Sequence, residues 1–172
     1  DTGLIRLLPR EKYDGRLEVR GGGAFYSFLG KTHAYGSGSD IVLSRDQFSV
    51  GFAGMNYGYF IALGDVPFDA VTAEHPAVAA LLAYQPKQTE KEIRAEHRNS
   101  SQGFKIGEFI GKPYVPAKVG MTYLLRSLNF DNTDVLVALR AVRQDTDGSM
   151  ILQWRLLKNF PKPTAIRDNS ND

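Results

Sequence analysis

The chain has 172 residues, of which 42% are hydrophobic and 23% charged, proportions typical of a globular protein. Its 21 Lys and Arg residues nearly balance 19 Asp and Glu residues, and a net charge of +2 argues against nucleic acid or an anionic membrane as the main partner. The absence of cysteine excludes disulfides, thiolate catalysis and cysteine-based metal sites. No apolar run reaches the roughly 18 residues that span a bilayer, so we expect a protein that does not span a membrane.

The first part of the chain alternates short apolar runs with glycine-rich turns, a pattern typical of β-strands. This alternation predicts strands at residues 17–19, 24–29, 41–43, 48–52 and 57–63. Arg45 and Asp46 separate the third and fourth of these runs, which predicts a hairpin there. The three glycines at 21–23 lack the following helix and the lysine of a phosphate-binding loop, so we interpret them as a bent connection.

Helix signals replace strand signals in the middle of the chain. Residues 76–84 are rich in Ala and Leu, begin with proline and are followed by Pro86, which predicts one short helix. Because this segment is apolar on nearly all sides, we expect the helix to be buried. Thr89 and Glu92 have the spacing of a capping box and predict a second helix to about residue 98, with so few apolar anchors that we expect it to be solvated or mobile.

Three long apolar strands, predicted at 121–130, 135–144 and 150–160, form the organising unit of the chain. Alternation along them places one continuous apolar set on the first face, which we predict to be core. This set contains Val135, Val137, Leu139, Ala141, Met150, Leu152, Trp154 and Leu156. A three-residue loop at 131–133 would add Tyr123 and Leu125 to it, whereas a two-residue loop would reverse that strand's faces.

The fold class follows from these elements. The sequence predicts a mainly β (β-rich α+β) fold, an antiparallel sandwich or open barrel of about eight strands with one short buried helix near residues 76–84. We expect one β-rich domain spanning residues 1–172, with a polar C-terminal tail from about residue 166.

Polar side chains interrupt the second face of the three-strand unit. The candidate ligand-binding residues on this face are Arg126, Arg140, Gln153 and Arg155. The simplest interpretation is a half-solvated face on which arginine stems cover apolar sheet. A second is a set of internal ion pairs with loop carboxylates such as Glu90, Glu92 or Glu108. The third is a cationic floor around Ala138 that receives an acidic-headed apolar ligand, because the arginine fork suits carboxylate and phosphate.

The length of the loop between the second and third strands decides which of these residues lie opposite one another. A four-residue loop at 145–148 places Gln153 opposite Arg140, and Arg126 and Arg155 would then flank Ala138 from the two neighbouring strands. A two-residue loop would instead set Arg140 against Arg155, a like-charge pair that costs stability unless an anion intervenes.

The sequence shows no metal motif and no nucleophile motif of the kind formed by residues close together in the chain. The three histidines, His33, His75 and His97, form no metal motif, and no Gly-x-Ser-x-Gly elbow exposes a nucleophilic serine. We therefore expect no catalytic residue, no metal and no cofactor. We favour a non-enzymatic binding or interaction domain whose partner is a small anionic or amphipathic molecule, or another protein.

Two other functions and two locations stay open from the sequence. One alternative function is a hydrolase whose active site is assembled by the fold. The other is a glycan-binding β-sandwich, in which aromatic residues interleaved with glycine stack on sugar rings. Those aromatic residues are Phe25, Tyr26, Phe28, Tyr35, Tyr57, Tyr59 and Phe60. The start at Asp1 without an initiator methionine fits a secreted or periplasmic protein, with a cytoplasmic location as the alternative.

Overall fold

The computed structural model describes residues 1–13, 22–36, 38–50 and 54–167. Within them the chain is mostly β, its sheets are antiparallel and no set of described strands closes into a barrel, so the β-rich fold is confirmed in its sandwich form. The predicted strand at 17–19, the end of the one at 48–52 and the tail beyond Arg167 lie outside the described residues. That the whole chain forms one domain stays a prediction.

The larger sheet has five antiparallel strands. They are β1 (Thr2–Leu7), β5 (Tyr57–Gly64), β9 (Thr122–Asn129), β10 (Thr133–Gln144) and β11 (Met150–Asn159). Their order in the sheet is β1-β11-β10-β9-β5. The three strands predicted as the organising unit are therefore its centre, and every residue of β9 is buried.

A smaller sheet faces the larger one. It has the order β2-β3-β4-β8, and a separate hairpin joins β6 to β7. These strands are β2 (Phe25–Tyr26), β3 (Ile41–Ser44), β4 (Gln47–Val50), β6 (Phe104–Ile106), β7 (Phe109–Gly111) and β8 (Tyr114–Pro116). Arg45 and Asp46 join β3 to β4 with φ of 50° and 57°, the left-handed conformation that a two-residue hairpin turn requires, so the predicted hairpin is confirmed.

Both predicted helices form. The first is α1 (Pro76–Ala83), which buries Ala77, Val78 and Leu81 on the side that faces the sheet and leaves Ala79 exposed on the other side. The second, α2 (Glu90–Asn99), begins with the predicted capping box, in which the Glu92 amide donates to Thr89 Oγ1 over 3.3 Å. Its outer face is solvated, but Ile93 is fully buried and anchors the helix to the sheet.

The five-stranded sheet is the middle of three layers. Its first face packs against the smaller sheet around Tyr123 and Trp154, as the alternation predicted. Its second face is covered by α1, α2 and the β6–β7 hairpin, with Leu124 and Leu136 in a second apolar core. The interpretation of this face as half-solvated is therefore wrong where the helices cover it.

The faces of the three-strand unit are as predicted, but one register is not. The turn between β9 and β10 has three residues, 130–132, because Asp131 takes a left-handed conformation with φ of 62°. Arg126 consequently lies opposite Leu136, and Leu124 lies opposite Ala138. The expectation that Arg126 and Arg155 flank Ala138 is wrong for Arg126. Arg155 does lie opposite Ala138, and Gln153 lies opposite Arg140.

Candidate ligand-binding cleft

Arg126 is a buried cation with internal partners. Its side chain is 1% exposed, and its Nε and Nη2 each donate to one carboxylate oxygen of Asp134 over 2.7 Å. Nη1 donates to the backbone oxygens of Leu81 and Tyr84, and the guanidinium lies 3.5 Å from the centroid of the Phe160 ring. A guanidinium carries five N–H donors. These hydrogen bonds use four of them, and the fifth is an N–H of Nη2.

The other three candidate residues lie away from Arg126. Gln153 lies opposite Arg140 and next to Arg155 on the same face of β11. Arg140 pairs with the exposed Asp65 at 2.7 Å, and Arg155 Nη2 donates to the Val71 oxygen over the same distance. Arg126 and Arg140 thus have internal ion pairs, although with Asp134 and Asp65 and not with the glutamates considered from sequence. The ligand-binding role proposed for these four residues stays a prediction.

Of these four residues, Arg126 lines the cavity with the most suitable chemistry for a small molecule. This cavity, the strap cleft, has a volume of about 270 Å³. Its floor is formed by Arg126 and Asp134 from the sheet and Phe130 from the β9–β10 turn. One wall is the connection from α1 to α2, residues 84–88. The opposite wall is the strap, which we define as residues 160–166.

The strap is held at its middle and at its C-terminal end by backbone hydrogen bonds. The chain leaves β11 at Pro161 and Pro163, which lack the N–H that a sheet requires. Asp131 N–H then donates to the Pro163 oxygen over 2.7 Å, and Ile166 N–H donates to the Gln88 oxygen over 2.8 Å. The width of the cleft is therefore set by backbone contacts.

A network of tyrosines supports the wall opposite the strap. The hydroxyls of Tyr84 and Tyr59 both donate to Glu96 Oε1, over 3.0 and 2.9 Å. Tyr57 lies 2.9 Å from the Tyr84 hydroxyl and accepts a hydrogen bond from the Lys87 amide. Burial raises the pKa of Tyr57, Tyr59 and Tyr84, so these hydroxyls stay protonated near neutral pH. They act as hydrogen-bond donors and not as bases.

Comparison with protein-family models, with curated proteins and with solved structures found no match to this chain.

The strap cleft combines apolar walls with one positive charge in excess among its described lining residues. Its apolar lining residues are Phe130, Phe160, Pro86, Pro161, Pro163 and Ile166. Arg126 is neutralised by Asp134, whose pKa is raised because burial outweighs the favourable contacts with Arg126. Lys87 also lines the cleft and has no ion pair within the part of the chain that the structure describes. The electrostatics of the cleft therefore favour a ligand with a single negative group.

The histidines lie elsewhere. His33 Nδ1 is 2.9 Å from the Phe25 oxygen, His75 Nδ1 accepts the Ala77 amide at the start of α1, and His97 is on α2. None of them lines the strap cleft. Across the described ranges, no three or more histidine, aspartate or glutamate side chains are grouped so as to hold a metal ion. None of the helices in those ranges combines the length and apolarity needed to cross a membrane.

The aromatic residues considered as a sugar platform are largely inside the protein. Phe25, Tyr26, Phe28, Tyr57, Tyr59 and Phe60 are all buried. Tyr35 is the one that is exposed, by 37%. A platform made from the strands themselves is therefore not available.

Two features of the strap cleft were not recognised in the sequence. Asp134 lies between the strands predicted at 121–130 and 135–144, yet its alternation with Leu136 places it on the second face, diagonal to Arg126 across the hairpin. This alternation could have identified the pair of Arg126 and Asp134 from the sequence. The return of residues 160–166 across the sheet has no signal in the sequence beyond the two prolines that end β11.

Proposed function

We propose that the protein is a binding domain for a small amphipathic anion, and that the strap cleft is its binding site. The observation that carries the proposal is the composition of the cleft, in which aromatic and proline side chains surround a site with two cations, Arg126 and Lys87, and one carboxylate, Asp134. The lining surface is about equally polar and apolar. Apolar walls together with a few convergent polar groups are the usual features of a small-molecule site.

The shape and charge of the cleft suggest how such a ligand would lie. An apolar body fits between Phe130 and Phe160 on one side and Pro86 on the other, where it removes apolar surface from water. The acidic head would meet the Lys87 ammonium at the rim and the remaining N–H of Arg126 Nη2. A second negative group would face Asp134 and be repelled, which favours a monoanion.

The same residues support binding over hydrolysis. The hydrolase alternative requires a base within reach of a nucleophile. Here the carboxylate of Asp134 is engaged on both oxygens by Arg126, and the lining contains no histidine. The Tyr84 hydroxyl donates a hydrogen bond to Glu96 and keeps its proton. The described lining thus offers recognition groups and no activated nucleophile.

The proposal is tested by titrating octanoate and benzoate, with sulfate as an anion lacking an apolar body, and following backbone NMR signals. Octanoate should shift the signals of residues 84–88 and 160–166 saturably, and sulfate should not. Lys87→Gln should weaken octanoate binding about threefold to fivefold, since a solvent-exposed ion pair contributes up to about 1 kcal/mol. Lys91→Gln, on the exposed side of α2, is the matched control.

A filling variant locates the site. Thr164 is exposed and lines the cleft, so Thr164→Trp should fill it and abolish octanoate binding without disturbing the core. Thr146→Trp, in the exposed turn before β11, should bind octanoate as the wild type does. If no organic anion shifts the cleft signals, or if Thr164→Trp binds octanoate normally, the proposal is wrong.

A further inference from the structure

A second cleft lies beside the same β9–β10 turn and differs in chemistry from the first. This hydroxyl cleft has a volume of about 430 Å³, within the range of roughly 300–1,000 Å³ found for small-molecule sites. The residues that give it polar character are Ser27, Thr32, Ser39, Asn132 and Thr133.

No charged side chain is among the described residues that line the hydroxyl cleft. An ionic group entering it would lose hydration without gaining a counterion, which costs free energy. A purely apolar ligand would leave the Asn132 amide and the hydroxyl protons of Ser27 and Thr133 without water or a partner, which also costs free energy. The cleft therefore selects a neutral ligand that carries hydroxyl groups.

The hydroxyls of Ser27 and Thr133 retain unused hydrogen-bonding capacity. Ser27 Oγ accepts from the Gly30 amide over 3.2 Å, and Thr133 Oγ1 accepts from Asn129 Nδ2 over 3.3 Å. Each hydroxyl keeps its own proton and a lone pair for a ligand. The Asn132 side-chain amide makes no hydrogen bond to any described residue and offers two donors and an acceptor. Ligand hydroxyls, which both donate and accept, complement all three groups.

An aromatic wall and a close backbone approach complete the hydroxyl cleft. The Tyr35 ring packs edge-on against Phe25, with centroids 5.0 Å apart and an interplanar angle of 82°, and it is 37% exposed. The C–H groups on one side of a sugar ring pack well against such a ring. Gly38 has φ of +98°, and a Cβ there would lie 2.8 Å from Asn132 Nδ2, so glycine lets its loop approach the turn.

We propose that the hydroxyl cleft is a binding site for a neutral saccharide unit, held by the hydroxyls of Ser27 and Thr133, the Asn132 amide and the exposed part of the Tyr35 ring. This site is separate from the strap cleft, so the two proposals stand or fall independently.

The test is an NMR titration with the methyl glycosides of glucose, galactose and mannose, with glucuronate as the charged comparison. At least one glycoside should shift the Asn132 side-chain and Gly38 backbone signals saturably, with a dissociation constant in the millimolar range. Glucuronate should bind about tenfold more weakly, because its carboxylate finds no counterion. The signals of residues 160–166 should not move, which separates this site from the strap cleft.

A second filling variant makes the outcome decisive. Ala34 is exposed and lines the hydroxyl cleft, so Ala34→Trp should abolish the shifts. Ala79→Trp, on the exposed side of α1, should leave them unchanged. The proposal is overturned if none of the three glycosides moves the Asn132 and Gly38 signals, if glucuronate binds as well as they do, or if Ala34→Trp still binds.

Discussion

Replacing Asp40 by Asn should remove a pH dependence of stability that originates in one buried carboxylate. Asp40 is 1% exposed, and no cation is paired with it within the described residues. Its Oδ2 accepts from the Phe28 amide over 2.8 Å, and its Oδ1 accepts from Ser127 Oγ and Asn129 Nδ2 over 2.8 and 3.0 Å. All three donors are neutral, so they offset the loss of hydration only in part.

The magnitude follows from the shift in pKa. Burial raises the pKa of Asp40 from 3.8 to about 6, against the opposing effect of its hydrogen bonds. This difference corresponds to about 3 kcal/mol, because each pKa unit is worth about 1.4 kcal/mol. The folded state holds the proton more tightly than the unfolded state, so the contribution is present at low pH and is lost as the pH rises through about 6.

Asn at this position keeps the geometry without the titration. The amide oxygen can accept from Phe28, and Ser127 can reverse its hydroxyl to accept from the new amide. A half-turn of the Asn129 side chain would also present its Oδ1, a buried atom that has no hydrogen-bond partner among the described residues. The variant is therefore expected to fold.

The assay is urea unfolding of both proteins from about pH 4.5 to 7. The unfolding free energy of the wild type minus that of Asp40→Asn should fall by about 2 kcal/mol over this interval. The fall is smaller than about 3 kcal/mol because part of the titration lies below about pH 4.5. Asp69→Asn, at an exposed carboxylate, controls for the change in net charge. A difference that stays constant within about 0.5 kcal/mol would refute the reasoning.

Two further predictions concern the helix-covered face of the sheet. Arg126→Met leaves the Asp134 carboxylate buried without a countercharge and should cost about 3–5 kcal/mol in urea unfolding, while adding Asp134→Leu should recover most of that loss. A single-variant loss below about 1 kcal/mol would contradict the role of this pair. Ile93→Ala should cost about 2–5 kcal/mol, because Ile93 is the one buried residue of α2, and limited proteolysis should then cut first within that helix. An unchanged first cleavage site would count against the anchoring role of Ile93.

The alternation of apolar residues predicted much of the sheet, because it acts through local geometry. Period two alone predicts Trp154 in the core, and it predicts Tyr123 there if the first loop has three residues; both are buried in that core. The register of the first hairpin was missed by two residues for a local reason. Phe130 is apolar and resembles a strand residue, but it belongs to the turn that Asp131 closes with a positive φ.

The sites depend on contacts that no local pattern records. The strap cleft requires residues 84–88 to meet residues 160–166, and the bridge between Thr89 and Ile166 joins segments far apart in the chain. The aromatic runs show that a local pattern can also suggest a site that the fold does not form. Their composition suggested a sugar platform, but burial is decided by the second sheet and the helices, which left Tyr35 exposed.

The pairing of β1 with β11 has a consequence for the order in which the protein folds during synthesis. Thr2 lies opposite Arg155 in the sheet, so about 150 residues must be made before β1 can pair with its partner. At about 5–20 residues per second this takes roughly 8–30 s. Over that time Ile5 and Leu7 lack the antiparallel partner that β11 supplies, and the nascent chain carries an apolar segment that a chaperone could hold. Release of the last strand from the ribosome, and not the formation of the early hairpins, therefore sets when the sheet is complete.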